Sequence, residues 1–462
     1  MSRRDLIETD NAAFLHDPDR ETELLVGIAQ RVLDQARAGG AEQAEVSLGS
    51  SLGREATVRL GEVETLEEAR DRSVEVTVYV RQCSGSASTG DLRPETIDET
   101  VERALAIARN TQPDRAAGLA EGRLMATEFP DLDLWHPRDI PLDELVSRAL
   151  IIEQAGRDAD ERIDNSEGAS VTSEANVAVY ANSHGFVGRL RGSAYSQSCV
   201  LIARDESGMQ RDYDFDTQRC WADLVTPEHT GKEAARRTVR RLGSKRMRTG
   251  RLPVLFVPEV ARGLIGHLVG AVAGGNLYRR SSFLLDAVGE RVLPEWASLV
   301  ERPHLPRAAR SASFDGDGVA TRESPLVESG VLSRYVLSSY SARRLGLETT
   351  ANAGGVHNLE LTGATHSFDE LLAEMGEGLV VTELMGQGVN IVTGDYSRGA
   401  AGFRVENGKL GAPVEEITIA GNLRDMLTGL VAAGTDMDPR HNIRTGSLLV
   451  GEMTVAGQED AG

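Results

Sequence analysis

The sequence predicts an α+β fold, with a duplicated N-terminal helix–strands–helix region followed by a β-rich C-terminal domain. Two observations lead there. Helical stripes bounded by proline and glycine occur twice in the first half, with short alternating segments between them. From Leu252 the texture changes to short β segments rich in glycine. The expected limits are 1–245 for the N-terminal region, with copies over about 20–112 and 141–245, and 252–462 for the C-terminal domain.

The first helix is expected from Glu21 to Ala38, with Leu25, Ile28, Val32 and Ala36 on one face and Gly39-Gly40 ending it. Alternating segments follow at Ala44–Leu48, Ala56–Leu60 and Ser73–Val80. A second helix opens at Pro94 and carries Ile97, Val101, Leu105 and Ala108. After a Pro-, Asp- and Gly-rich stretch from Asn110 to Asp139, the order repeats. A helix over Pro141–Ala155 precedes strands near Ser170–Thr172, Val177–Tyr180, Gly185–Leu190 and Ser193–Ile202, and a helix over Pro227–Leu242 closes the copy. Pro253–Val257 reads as a buried strand and Val260–Gly270 as a helix. Later helical periods are confined to Phe368–Met375 and Leu423–Val431.

Composition excludes several classes. With 462 residues and 40% hydrophobic content the chain can bury more than one core, and no apolar run reaches membrane-spanning length. The start at Met1–Leu6 leads into polar residues rather than a secretory apolar stretch, so a cytoplasmic location is expected. Cys83, Cys199 and Cys220 match no zinc or redox spacing and read as reduced thiols. A net charge of -21 argues against a nucleic-acid binder. The cationic run from Arg236 to Arg251 lacks interleaved aromatics and reads as a solvated face.

The helix from Val260 to Gly270 bears most on chemistry. Val260, Leu264, Leu268 and Ala271 form its apolar stripe, with His267 beside it. A zinc-peptidase helix needs a second histidine one turn away and a glutamate to activate water. Gly263 and Ala271 stand four residues either side of His267 instead, and Glu259 precedes the helix.

Gly263–Gly270, Tyr278–Phe283, Thr382–Gly388, Gly394–Phe403 and Glu416–Leu423 together resemble the PmbA (TldE) branch of the TldD/PmbA peptidase family, across most of the C-terminal half. In the TldD branch the equivalent helix carries His-Glu, three residues and a second His, and a cysteine near the C-terminus completes a zinc site. Carried over, the first histidine is Arg262, the glutamate is Gly263 and only His267 remains; no cysteine follows Cys220. The resemblance therefore implies a chain with no catalytic residues, metal or cofactor of its own. Zinc is expected in a TldD-like partner subunit. The implied assembly is a heteromeric metalloprotease acting on small or unfolded polypeptides, including peptide-antibiotic precursors and antitoxins. The alternative is a non-enzymatic peptide-binding or modulator protein acting as a homodimer, as in the family's older description as a modulator of DNA gyrase. An independent hydrolase with an unrecognised site is the third reading.

Candidate peptide-contacting residues are His267, His357, Asp395, Tyr396, Arg398 and Asn422. His267 either lines a cleft or is a hydrogen-bonded helix histidine. His357, after Gly354-Gly355, either faces a ligand or belongs to a turn. Asp395, Tyr396, Arg398 and Asn422 sit in glycine-rich turns between β segments, where an extended peptide can add to a strand edge, and turn-stabilising hydrogen bonds are the other reading. Asp315–Gly318 lacks the later acid of a calcium loop and reads as a tight turn. Ser338–Arg344 shows no Ser/His/Asp order, and Gly386-Gln387-Gly388 lacks the context of a dinucleotide site.

Overall fold

The computed structural model describes residues 14–457; the polar start at Met1–Leu6 lies outside them. The chain divides into two compact units. The first holds residues up to Ile202, Arg211–Arg237 and Ser313–Thr321, and the second holds Ala203–Gln210, Thr238–Ala312 and the chain from Arg322.

In the first unit α1 (Pro18–Ala38) is followed by β1 (Gln43–Arg59), β2 (Glu62–Val80), β3 (Cys83–Thr89) and α2 (Pro94–Asn110). After the connecting stretch come α3 (Leu142–Arg157), β4 (Ile163–Asn182), β5 (Val187–Asp205), β6 (Gly208–Gln218) and α4 (Pro227–Val239). Asp17 caps α1 by accepting the Arg20 N–H, and Leu25, Ala29, Val32 and Ala36 form its buried face. The six strands make one sheet in the order β3-β2-β1-β4-β5-β6. Each half contributes a three-strand meander flanked by helices, and the halves meet at the antiparallel β1–β4 pair, from Glu45↔Asn182 to Val58↔Ala169.

The strands are longer than the sequence reading. Ala44–Leu48 and most of Ala56–Leu60 fall in one strand, because the intervening Gly49–Glu55 is paired on both sides, to β2 and to β4; Leu60 itself belongs to the turn that follows. β3 and β6 escaped that reading altogether. β3 is built of small residues because α2 lies directly on it: a Cβ on Gly85 would sit 2.2 Å from the Ala104 carbonyl. β6 buries polar groups, Gln210, Asp214 and Asp216, in place of an apolar alternation. The helix expected to Leu242 ends at Val239. Asp315–Gly318 is a tight turn in which the Asp315 carboxylate accepts the Asp317 and Val319 N–H groups.

The second unit contains β7 (Gly250–Phe256), α5 (Pro258–Ala271), α6 (Gly274–Tyr278), β8 (Ser298–Glu301), β9 (Ser324–Glu328), β10 (Val331–Leu332), α7 (Ser339–Leu345), β11 (Leu359–Thr362), α8 (Phe368–Met375), β12 (Gly378–Met385), β13 (Asp395–Glu406), β14 (Lys409–Asn422), α9 (Leu423–Thr428), β15 (Leu430–Ala433), β16 (Ile443–Arg444) and β17 (Leu448–Ala456). One sheet runs β14-β13-β12-β7-β17-β15, and β14 also pairs with β17, so five of its strands close into a ring. The other sheet runs β10-β9-β8-β11-β16. Leu264, Ile265 and Leu268 of α5 pack into a core shared with residues of both sheets. The helix expected over Leu423–Val431 stops at Thr428, and Leu430–Ala433 is a strand pairing with β17. The mixed α+β character and the β-rich C-terminal part agree with the sequence expectation.

Candidate functional site

Helix α5 begins at Pro258, where proline at the first helical position costs no hydrogen bond, and buries Ala261, Leu264, Ile265, Leu268 and Ala271. His267 lies beside that stripe, half-buried, with its ring edge-on to the Tyr396 ring at 6.1 Å and 72°. Tyr396 and Arg398 are two residues apart on β13 and so point to one face of the strand. Burial pushes the Tyr396 phenol up to about 12, against the opposing effect of the Arg398 charge. Burial, and then the Arg398 guanidinium, hold the His267 imidazole below its ordinary value. These three sequence candidates therefore come together as a neutral imidazole, a protonated phenol and a cation.

Near the start of α5 stands a second polar group that the sequence reading did not single out. Arg440 pairs with Asp438 at 2.8 Å and reaches Glu259 at 3.5 Å. His441 lies 3.9 Å from Asp438 and is held below its ordinary value by burial and then by the Arg262 charge. The available signal was the polar run Asp436–His441 after β15, but nothing in it indicates proximity to α5. Arg262 is exposed and donates from Nε to the Glu259 carbonyl at 3.1 Å.

Asp395 and Asn422 are cross-strand partners at the ends of β13 and β14. Asp395 accepts from the Thr393 hydroxyl at 2.6 Å. Asn422 caps α9 by accepting the Arg424 N–H at 3.0 Å, and its amide donates to the Thr393 carbonyl at 3.2 Å. The neighbouring glycines have a packing reason: a Cβ on Gly388 would lie 1.8 Å from the Ser397 carbonyl oxygen, and one on Gly402 1.8 Å from that of Val380.

His357 is elsewhere. It is buried, and both its backbone N–H (2.6 Å) and its Nδ1 (3.0 Å) meet Oε1 of Glu301 at the end of β8. Asn352 and Arg334 approach the same carboxylate. Burial pushes Glu301 up, but the His357 hydrogen bond and the Arg334 charge outweigh it and bring the carboxyl down to about 2. Ser338–Arg344, read as a hydroxyl-and-cation segment, starts α7 with a Ser338/Ser341 capping box. Of the cationic run, Arg236 pairs with Glu233, Arg241 with Glu383, Arg246 with Glu416 and Arg251 with Glu452, and Arg240 covers the Phe403 ring.

Models of one family match the chain in three blocks: PmbA/TldA metallopeptidase domain 1 over residues 44–108, its central domain over 135–242 and its C-terminal domain over 249–457. The chain belongs to the PmbA/TldA metallopeptidase family. The metalloprotease PmbA of Escherichia coli O157:H7 is 48% identical over 420 residues, covering 91% of this chain and 93% of that protein. The PmbA homologue of Haemophilus influenzae is 45% identical over 449 residues, covering 97% and 99%. Among solved structures, a putative modulator of DNA gyrase from Bacteroides thetaiotaomicron aligns with a TM-score of 0.89 at 28% identity, over 94% of this chain and 98% of that one. TldE from Thermococcus kodakarensis shares the fold, with a TM-score of 0.82 at 22% identity over 93% and 100%.

The family's metallopeptidase character poses a test of the donor set. Catalytic zinc takes three protein ligands from His, Cys, Asp and Glu. Among the described residues no three such side chains gather at one point. Position 262 holds a guanidinium that cannot ligate, position 263 has no side chain, and all three cysteines precede α5. The residues of α5 do not fit the metal. Space is not the reason at position 263, since a Cβ there would meet no atom within 4 Å. No helix among the described residues is long and apolar enough to cross a membrane.

Proposed function

We propose that this chain is the metal-less subunit of a heteromeric zinc peptidase, paired with a TldD-like chain that carries the metal and the water-activating glutamate. The observation that carries the reading is the pair Arg262 and Gly263 on α5, where the resemblance to the TldD branch places a histidine and a glutamate. In this reading the substrate is a small or unfolded polypeptide in extended form, and the cytoplasm is where the complex works.

The chain's own residues bind and orient. His267, Tyr396 and Arg398 offer an uncharged imidazole, a hydroxyl and a cation together, a set suited to peptide carbonyls and carboxylates. Asp395 adds a carboxylate at the start of the same strand. His357 and Asn422 have structural partners that account for them, the Glu301 carboxylate and the α9 cap. The peptide-contact reading thus narrows to His267, Asp395, Tyr396 and Arg398.

Zinc content and peptide cleavage measured on the chain alone, and again after mixing with a TldD-like partner, test this. The expected result is a metal-free, inert chain and a mixture that holds zinc and cuts. Stoichiometric zinc and cleavage by the chain alone would overturn the reading.

A further inference from the structure

Two cations of the run from Arg236 to Arg251 are left over once its ion pairs are drawn. Arg236 and Arg237 meet Glu233, Arg241 meets Glu383, Arg246 meets Glu416, Arg251 meets Glu452, and Arg240 lies over the Phe403 ring. Lys245 and Arg248 are exposed and have no acidic partner among the described residues, in a chain whose formal net charge is -21. Both line one cavity of about 690 Å³, within the roughly 300–1,000 Å³ of small-molecule sites.

The segment that carries them is held in place. The Lys245 N–H donates to the Pro413 carbonyl at 2.9 Å, and the Lys245 carbonyl accepts the Glu415 N–H at 3.3 Å, which ties this residue to β14. Four residues on, the Thr249 hydroxyl donates to the Gly457 carbonyl at 3.0 Å. Further lining comes from Glu377, between α8 and β12, and from Arg404 and Glu406 at the end of β13. Glu377 is fixed by accepting the Asn407 N–H at 3.0 Å. All of these residues belong to the second unit. The cavity lies at the Gly250 end of β7, whereas α5 follows the Phe256 end, so the strand separates the two by roughly 20 Å.

Charge and lining decide the ligand. Arg246 and Arg404 also line the cavity, and their pairs with Glu416 and Glu406 are solvent-exposed ones, 41% exposed or more on either side. Such pairs are weak, so both guanidiniums can turn to a better anion at little cost. A phosphate accepts from several of these groups at once, from lysine as a point charge and from arginine as a fork. A nucleic-acid strand fits poorly: no aromatic residue lines the cavity for base stacking, and Glu377 and Glu406 repel a run of phosphates. The same two carboxylates accept from hydroxyl or amino groups, and Leu252, Val405 and Val414 offer apolar cover to a carbon skeleton.

We propose that this cavity binds a phosphate-bearing small molecule, a nucleotide or a sugar phosphate, with its phosphate on Lys245 and Arg248. The site is tested on the chain alone and does not depend on the metal-less-subunit reading, so either can fail without the other.

The sequence holds three lysines, Lys232, Lys245 and Lys409, all exposed, so two of them serve as internal references. The probe is pyridoxal phosphate, whose aldehyde condenses with a lysine amine to an imine, releasing water; borohydride fixes the imine as a secondary amine for peptide mass mapping. Lys245 should be labelled roughly tenfold or more faster than the other two, because the bound phosphate holds the aldehyde beside it. Pyridoxal, which lacks the phosphate, should show no preference. Arg248→Gln should remove most of the preference and leave the unfolding midpoint unchanged. Pyrophosphate should protect Lys245 saturably, and chloride at matched ionic strength should not. Even labelling of the three lysines overturns the proposal, as does a preference that persists with pyridoxal or in Arg248→Gln, or a lack of protection by pyrophosphate. Protection by ADP against pyrophosphate, and by glucose 6-phosphate against inorganic phosphate, then separates the two ligand types. A lower half-protecting concentration for one of these organic phosphates supports that type; a gain for neither overturns the small-molecule assignment.

Discussion

His357 and Glu301 are joined twice: Oε1 of the carboxylate accepts the His357 backbone N–H at 2.6 Å and lies 3.0 Å from the imidazole Nδ1. Both residues are buried, and Arg334 closes on the same carboxylate. Removing the charge leaves that guanidinium without its counter-ion. Glu301→Gln is expected to destabilise the protein by about 3 kcal/mol at neutral pH, measured by urea unfolding. The Glu301 carboxyl, at about 2, lies below its ordinary 4.5, so its contribution is complete above pH 4.5 and is lost as pH falls toward 2. The difference between wild type and variant should shrink over that window. A difference independent of pH would contradict the charge argument.

The second prediction concerns His267. Burial and then the Arg398 charge keep its imidazole below the ordinary 6.5. Arg398→Gln removes the second cause, and the His267 proton resonance in an NMR titration should move to a higher midpoint. In the wild type the depressed value means that stability is full above pH 6.5 and falls as the pH drops below it. An unmoved midpoint in the variant would show that Arg398 does not act on this ring.

Gly263 is an interior glycine of α5 with open space where a side chain would stand. Gly263→Ala should raise stability by about 0.5–1 kcal/mol through helix propensity alone. Thermal melting checks this. A loss of stability would mean that the position is more crowded than its geometry indicates.

Thiol reactivity separates Cys199 from Cys220. Cys199 is fully buried, and burial, followed by the charges of Glu153 and Asp214, pushes its thiol up to about 12. Cys220 is half-buried. An aromatic disulfide reagent at mildly alkaline pH should label Cys220 in the native protein and reach Cys199 only after unfolding, as read by peptide mass mapping. Native labelling of Cys199 would reveal local opening of α3 or β5.

Much of the fold was legible because its signals are local. Pro94 opens α2 as expected, and the Ser367 capping box agrees with the helix expected over Phe368–Met375; α5 starts at Pro258, before the expected Val260, and so takes Glu259 into its first turn. β3 and β6 were not legible, since their composition answers to a neighbour: Gly85 to the Ala104 backbone, and Gln210 to Ser244 and Glu415. The candidate site was legible only in part. Tyr396 and Arg398, expected in a glycine-rich turn, lie instead two residues apart on β13, and only that strand's alternation turns both to one face. The Glu301 partner of His357 lies 56 residues away and carries no sequence mark. Arg440 and His441 reach α5 only through the fold.

The β1–β4 seam has a consequence for how the first unit can be taken apart. Each half offers the other its innermost strand, so neither meander has a finished sheet without its counterpart. Proteolytic nicking within the connecting stretch between α2 and α3 would sever the chain without severing the sheet. The two fragments would stay associated through the paired registers from Glu45 to Val58, and would separate only under conditions that unfold both.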